Sequence, residues 1–436
     1  MKKIGLIFVI CFNMSFLYAQ HQWTLSDCIR YAMDNNLEIK RQKIETERRE
    51  IQLNTDRMSR LPDLNVNGTQ KFDFGRSLTR ENTYEDINSR NSAFSLTTEA
   101  VLFDGLKTEN TIAYRKLELN INQLNDEKVK NDISLRIATL YFQILLNKEV
   151  LNIAQEQIAL SGELKNVTEI LVANGKAPGS QMYDVQAQAA NDELNVTKAE
   201  NELRLSIVDM VQLLEIDNMA GFDIDSIREN SIDFMLENPT QIYEAAQTVM
   251  PEIRSADLGV ESGERAVKIS KSGYYPTVSF AAGISSYYYN FSNTENESFN
   301  KQFNNNMQKT IYFTLRIPLF NRFATRNAVR TARRNLAENR LVKEQTHKTL
   351  FKEIQKAYYD ALSAREKYAS TEKSVFANAE ALRYALEKYN AGSFTLYEYN
   401  DIKLKLASSR SEMSKAKYEF LLQRKLLDFY AGKNIQ

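Results

Sequence analysis

The chain is written twice. Ala32 and Ala246 lie 214 residues apart, as do Glu38-Ile39 and Glu252-Ile253, and Pro62 and Pro276. Farther on the offset is 217: Phe103-Asp104 matches Phe320-Asn321, Tyr141 matches Tyr358, and Asn174-Gly175 lines up with Ala391-Gly392. The change of three falls between Pro62 and Phe103, where a loop can absorb it, and register then holds for at least 70 residues. A duplicated chain builds one supersecondary unit twice, so whatever constrains one copy constrains the fold. The organisation expected is a leader at 1–19, a first copy at 20–217, a linker at 218–238, a second copy at 239–432 and a tail at 433–436.

The leader reads as a secretory signal peptide: Lys2 and Lys3, a short apolar run from Ile4 to Phe16, then Leu17-Tyr18-Ala19. Cys11 leaves with it, so Cys28 has no intramolecular partner and the exported chain is no disulfide scaffold. Basic and acidic residues number 56 each, and removing Lys2 and Lys3 leaves 54 against 56, a net of −2. That balance argues against a nucleic-acid partner, which needs a basic face. His21 and His347 are thin material for a metal site or a catalytic triad, and no cofactor is expected.

Each copy has the same grammar. A helix from about Leu25 to Arg60 starts at the N-cap Thr24, with Asp27 three residues on, and stops at Pro62. A β-hairpin follows over 63–103. Leu64, Val66, Phe72 and Phe74 alternate with Asn65, Asn67, Thr69, Lys71 and Asp73, and Phe94, Leu96, Thr98, Ala100 and Leu102 share one side of the next run. The second copy repeats this over 276–320: Val278, Phe280, Ala282 and Ile284, then Ile311, Phe313, Leu315, Ile317 and Leu319. The polar tracts 75–91 and 290–308 read as loops. Next come long helical hairpins, 106–215 and 322–431. Residues 322–390 contain neither Gly nor Pro, and 106–174 contain only Gly162. At 1.5 Å per residue such a helix is about 100 Å long. Leu350, Ile354, Ala357, Ala361 and Tyr368, matched by Ile133, Ile137, Leu140, Ile144 and Leu151, form heptad seams that pack helix on helix.

No segment after the leader approaches the roughly 18–20 apolar residues of a membrane helix. Strands of about ten residues with one apolar face do suit a tilted crossing in a β-barrel. Only four occur per chain, and a closed barrel needs about eight or more, so one chain cannot span alone and must oligomerise. Two chains would fill their barrel with side chains, whereas three could leave a lumen. Lys71 and Arg316 fall on the non-lipid faces as candidate lumen residues. Phe72, Phe74, Phe103, Tyr274, Tyr275, Tyr287 and Phe320, near strand ends, suit an interfacial girdle. The competing reading is a soluble helical protein with two decorative hairpins.

At this point the chain resembles the TolC-like outer-membrane efflux protein family over nearly its whole exported length. The resemblance rests on the tandem repeat, on Leu25…Ala32…Asn35-Asn36, and on Met250-Pro251-Glu252-Ile253. Its most specific element is Tyr389-Asn390-Ala391-Gly392-Ser393-Phe394-Thr395-Leu396, which looks like that family's Tyr-x-x-Gly helix-hairpin turn. The resemblance implies a mainly α fold with a transmembrane β-barrel portion: a homotrimer whose strands form a twelve-stranded barrel in the outer membrane of a Gram-negative bacterium, continued by a long α-helical barrel in the periplasm. Its implied partners are outer-membrane lipid, a periplasmic adaptor (membrane fusion protein) and an inner-membrane RND or ABC pump.

A duct works through an aperture, a lumen and a docking surface. The tip turns, Asn174, Gly175, Lys176, Ala177 and Pro178 in one copy and Ala391, Gly392, Ser393 and Phe394 in the other, are exposed turns on rigid helices and so candidate adaptor contacts. Gly175 and Gly392 also suit simple left-handed helix caps. Glu398 and Asp401 lie three apart on one helix face. The resemblance implies that acids at these offsets narrow the periplasmic opening; Asp184 holds the second offset in the first copy. A solvated helix face is the plain alternative. Gln181 stands where family members often place an acid, and Phe394 where some carry an arginine, so a salt bridge between neighbouring tips is not open to those positions. Tyr389 can hydrogen-bond across the tip or simply pack. The expected function is a passive exit duct of a tripartite efflux system. The alternatives are a duct for type I protein secretion and a non-conducting envelope scaffold. An enzyme is not expected, since no convergent pocket emerges from the helical pattern.

Overall fold

The computed structural model describes residues 22–78, 82–219, 221–225, 234–292 and 294–433. The leader lies outside the described residues, as does part of the expected linker. In chain order the elements are β1 (Gln22–Trp23), α1 (Leu25–Asn35), α2 (Leu37–Met58), β2 (Asn65–Asp73), β3 (Arg76–Leu78), β4 (Tyr84–Asp86), β5 (Ser89–Phe103), α3 (Lys107–Ala173) and α4 (Ser180–Leu214). There follow β6 (Asp223–Ile224), α5 (Pro239–Val249), α6 (Pro251–Ser272), β7 (Thr277–Phe291), α7 (Phe299–Asn305), β8 (Gln308–Arg316), α8 (Ala324–Asn390) and α9 (Leu396–Tyr430). They group into two compact units. One comprises the chain up to Lys40, Val129–Met250 and everything from Leu350; the other comprises Arg41–Lys128 and Pro251–Thr349.

The strand-bearing unit holds a four-stranded antiparallel sheet in the order β2-β5-β7-β8. Its register sorts side chains as the alternation predicts. Val66 faces Leu96, Leu96 faces Ile284, and Phe280 faces Phe313, so one surface is apolar. On the other, Asn67, Ser95, Ser285 and Gln308 form a cross-strand row, as do Asn65, Thr97, Gly283 and Thr310. The apolar row departs from expectation at one place. A β-bulge between Val101 and Phe103 puts Phe103, not Leu102, opposite Val278, because an inserted residue flips the alternation beyond it. The two polar tracts also carry structure: β3 pairs with β4, and α7 lays Phe299 and Phe303 edge-on to Phe94.

The single helix expected over 25–60 is two. Asn36, at φ −59° and ψ 130°, breaks it. Its Oδ1 accepts from the Glu38 and Ile39 N–H groups at 2.9 and 3.3 Å, capping α2, while its Nδ2 donates to the Leu213 carbonyl at 2.9 Å. The second copy breaks at the matching Met250 (ψ 124°), where Pro251 disfavours a helical conformation for the residue before it. Both long helices have 67 residues and both returning helices have 35.

In the other unit the heptad seams are cores. Ile133, Ile137 and Ile144 are buried, as are Leu350, Ile354, Ala357 and Ala361. β1 and β6 pair in parallel beside them. The Tyr141 hydroxyl donates to the Asp225 carbonyl at 2.7 Å, and Lys148 Nζ donates to Asp223 Oδ1 and the Ile224 carbonyl at 2.5 and 2.8 Å. Cys28 is fully buried there and burial pushes its thiol up to about 12, which keeps it from acting as a nucleophile at neutral pH.

Candidate functional site

Both tip turns are built by the same backbone device. After α3, Gly175 adopts φ +66°, the Gly175 N–H donates to the Val172 carbonyl at 3.0 Å, and the Lys176 N–H reaches back to Leu171 at 2.8 Å. After α8, Gly392 adopts φ +73°, with Gly392 N–H to Tyr389 at 2.9 Å and Ser393 N–H to Lys388 at 3.0 Å. This paired pattern closes a helix through a left-handed residue, which glycine adopts without a Cβ clash. Asn174, Gly175, Lys176, Pro178, Ala391, Gly392 and Ser393 are exposed, and Ala177 is half-buried. Phe394 is half-buried under Lys388, whose Nζ lies 5.5 Å from the ring centroid.

Behind the tips lies a core of Leu164, Val185, Leu382, Ala385, Tyr389, Leu396, Tyr399 and Leu406. Tyr389 belongs to it, 2 % exposed, and its hydroxyl shares a 2.8 Å hydrogen bond with Thr168 Oγ1. It packs in this core and ties α8 to α3. The next layer is polar and was not singled out from sequence. Lys403, with no side-chain exposure, sends Nζ 2.6 Å to Asp192 Oδ2 and 2.6 Å to Ser161 Oγ. Ser161 Oγ donates to the same carboxylate oxygen at 2.5 Å, and Gln188 Nε2 donates to Oδ1 at 3.0 Å. Helices α3, α4 and α9 are thus joined by one buried, hydrogen-bonded charge pair. A signal existed: Leu396, Tyr399, Lys403 and Leu406 run at spacings of three, four and three, which puts a lysine on an apolar seam.

The acidic candidates have partners within their own helix. Thr395 and Glu398 form a capping box at the start of α9: the Glu398 N–H donates to Thr395 Oγ1 at 3.2 Å, and the Thr395 N–H donates to Glu398 Oε2 at 2.8 Å. The Thr395 hydroxyl, which donates to Glu398 Oε2 at 2.7 Å, and then the Thr395 N–H hold the Glu398 carboxyl below the usual carboxylate range, with Lys388 adding to the effect. Asp401 is half-buried and paired with Lys405 at 2.6 Å. Asp184 is exposed and Gln181 half-buried on the first turns of α4, where Gly179 supplies no side-chain cap. In the sheet, Lys71 lies on the polar surface with Asn65, Asn67 and Thr69 and pairs with Asp73 at 2.7 Å. Arg316 ends β8 opposite Thr277 and is exposed. Among the described residues no group of three or more His, Cys, Asp and Glu side chains could hold a metal ion, and no helix is long and apolar enough to cross a membrane.

Helices of 67 residues turned back by glycine caps, and four strands sharing one apolar surface, set the class of the fold: a mainly α-helical chain carrying one four-stranded antiparallel sheet. The sequence matches the outer membrane efflux protein family over residues 28–214 and 242–433, and the chain belongs to that family. It is 20% identical over 292 residues to the outer membrane protein TolC of Vibrio cholerae, a match that spans 66% of this chain and 65% of the relative's length. The fold is shared with the crystal structure of CusC (TM-score 0.82, 16% identity, 94% of this chain and 92% of that one). It is shared too with the outer membrane protein VceC of Vibrio cholerae (TM-score 0.77, 17% identity, 94% and 97%). The protein is a mainly α-helical outer membrane efflux protein of the TolC-like kind.

Proposed function

We propose that three copies form a passive exit duct that carries substrates from an inner-membrane pump, of the RND or ABC class, through a periplasmic adaptor to the outside. The observation that carries the reading is the pair of open edges. β2 and β8 end the four-stranded sheet with no further strand beside them among the described residues, and unpaired strand edges do not survive in lipid. Closure therefore needs other copies. A second support is a heptad stripe on α2: Leu37, Ile44, Ile51 and Met58 are 61, 58, 68 and 51 % exposed, at seven-residue spacing, on the side away from buried Ile39, Thr46 and Leu53. Such a seam suits a neighbouring helix.

In this reading the polar sheet surface with Lys71 and Arg316 lines the lumen. The turns at Asn174–Pro178 and Ala391–Phe394 meet the adaptor, and Glu398, Asp401 and Asp184, with the uncharged Gln181, line the periplasmic aperture, the three acids setting its charge. Acidic rings disfavour anions and attract cations. The test is single-channel conductance in planar bilayers of wild type against Glu398→Gln/Asp401→Asn. Glutamine at the third helical position keeps the capping box, so the variant removes two charges per chain and leaves the turn intact. Cation preference in wild type that weakens in the variant is expected. Unchanged selectivity would remove these acids from the aperture, and silence from a properly inserted protein would sink the duct in favour of a scaffold.

A further inference from the structure

Where the second hairpin meets α8, the strand-bearing unit carries an unbalanced positive cluster. From Phe299 to Ala337 there is no Asp or Glu, whereas Arg322, Arg326, Arg330, Arg333 and Arg334 fall within thirteen positions. All five are exposed. None has a carboxylate partner among the described residues; ion pairs resume farther down the helix with Arg340–Glu264 and Lys343–Asp257. Directly beside the arginines is an exposed apolar group. Leu319 is 92 % exposed and Phe320 73 %, Phe320 meets Phe323 edge-on at 5.6 Å, and the Arg326 guanidinium sits 5.7 Å from the Phe323 ring centroid. Arg326 and Arg330, four positions apart, share one face of the first turns of α8, and Phe323 stands just before the helix begins.

The backbone at this corner is costly. Arg322 and Phe323 both have left-handed φ, 55° and 62°. The first copy makes the same corner with Gly105 (φ 69°) and Leu106 (φ 62°). There a Cβ on Gly105 would come within 2.7 Å of Tyr275 Cβ, so only glycine fits. The second copy sets an arginine where the conformation favours glycine, and such strain is characteristic of functional positions.

We propose that Arg322, Arg326 and Arg330 bind the phosphate of anionic phospholipid headgroups in the periplasmic leaflet, with Leu319, Phe320 and Phe323 seated at the acyl boundary beside them. The depth is right. The apolar row Ile311, Phe313 and Leu315 ends at the close of β8, and Arg322 follows six residues after Arg316. Aromatic and basic side chains at that level anchor a span to the interface, and guanidinium groups grip phosphate bidentately. A neighbouring protein copy is the poorer partner. The membrane-proximal half of α2, from Ile51 to Met58, has a single acid, Asp56, already paired with Arg115 at 2.9 Å. The inference rests on placement of the strands in the outer membrane, not on the trimer or the aperture.

The test is native mass spectrometry of the full-length protein in detergent with added phosphatidylglycerol or phosphatidylcholine. Wild type should retain phosphatidylglycerol in preference. Arg326→Gln/Arg330→Gln should lose that preference by roughly fivefold per arginine, and Arg326→Lys/Arg330→Lys should keep most of it. If the double glutamine variant does not assemble, Arg326→Gln and Arg330→Gln singly should each show the smaller loss. Displacement of the lipid by millimolar inorganic phosphate would reveal a free-phosphate site and overturn the lipid assignment. An unchanged lipid preference in the glutamine variants would overturn it too, as would altered pore selectivity without any change in lipid retention.

Discussion

Lys403 is placed where water does not reach, and its charge is tolerable only because Asp192 and Ser161 each meet its Nζ at 2.6 Å. A buried pair of this kind adds little net stability over an apolar pair of the same shape, but breaking one side is expensive. Lys403→Met is therefore expected to destabilise by about 3–5 kcal/mol, since it strands the Asp192 carboxylate. Lys403→Met/Asp192→Leu should recover most of the loss. Denaturant midpoints of the detergent-solubilised protein check both, and a single variant as stable as wild type would show that Asp192 finds water or another donor. Glu398 gives the opposite kind of dependence. Its carboxyl is held below the ordinary range by Thr395. Its capping contribution is thus complete above the unfolded-chain value and is lost as pH falls through the lower folded value. Amide exchange at the first turn of α9 should quicken in acid, once intrinsic rates are allowed for, and more in wild type than in Glu398→Gln. Equal protection at neutral and acidic pH would mean that the cap does not depend on the charge.

At the scale of elements, α2 presents the sharpest test. Burying Ile44 and Ile51 against a neighbouring helix should stabilise an assembly by about 1.5–3 kcal/mol per side chain. Ile44→Asn/Ile51→Asn should then shift the purified protein from trimer towards monomer in light scattering, with helix content by circular dichroism nearly unchanged. A trimer of undiminished stability would place the contact elsewhere. The long helices were legible because 69 residues without proline leave nothing to stop a helix, and the strands because period-two alternation has few other readings. The break at Asn36 was not. Its cap is local, but the bond that holds it in place goes to Leu213, 177 residues away. The α7 turn was hidden in the same way, since a segment as polar as Phe299–Asn305 becomes a helix by resting on Phe94.

For the molecule as a whole, the duplication made the order and rough lengths of the main elements readable from residue spacing, and the family match covers both copies. The site was less readable. Thr395-Leu-Tyr-Glu398 is a capping-box pattern that sequence does show, yet a charged ring and a helix cap ask for the same residue. Asp192 and Lys403 are 211 positions apart, and no local pattern pairs them. The Arg322–Arg334 cluster was legible as charge, but only the exposed Leu319, Phe320 and Phe323 beside it give it a depth.

β2 and β8 have a bearing on the journey as well as on the destination. Each newly exported chain carries two rows of bare N–H and C=O groups, flanked by exposed Val66, Ile311, Phe313 and Leu315. Any other extended chain it meets can add to those rows. It cannot wait safely in water for its fellows to arrive. Such a chain is safe only while its two outer strands, β2 and β8, stay covered until the bilayer and the companion chains are both at hand.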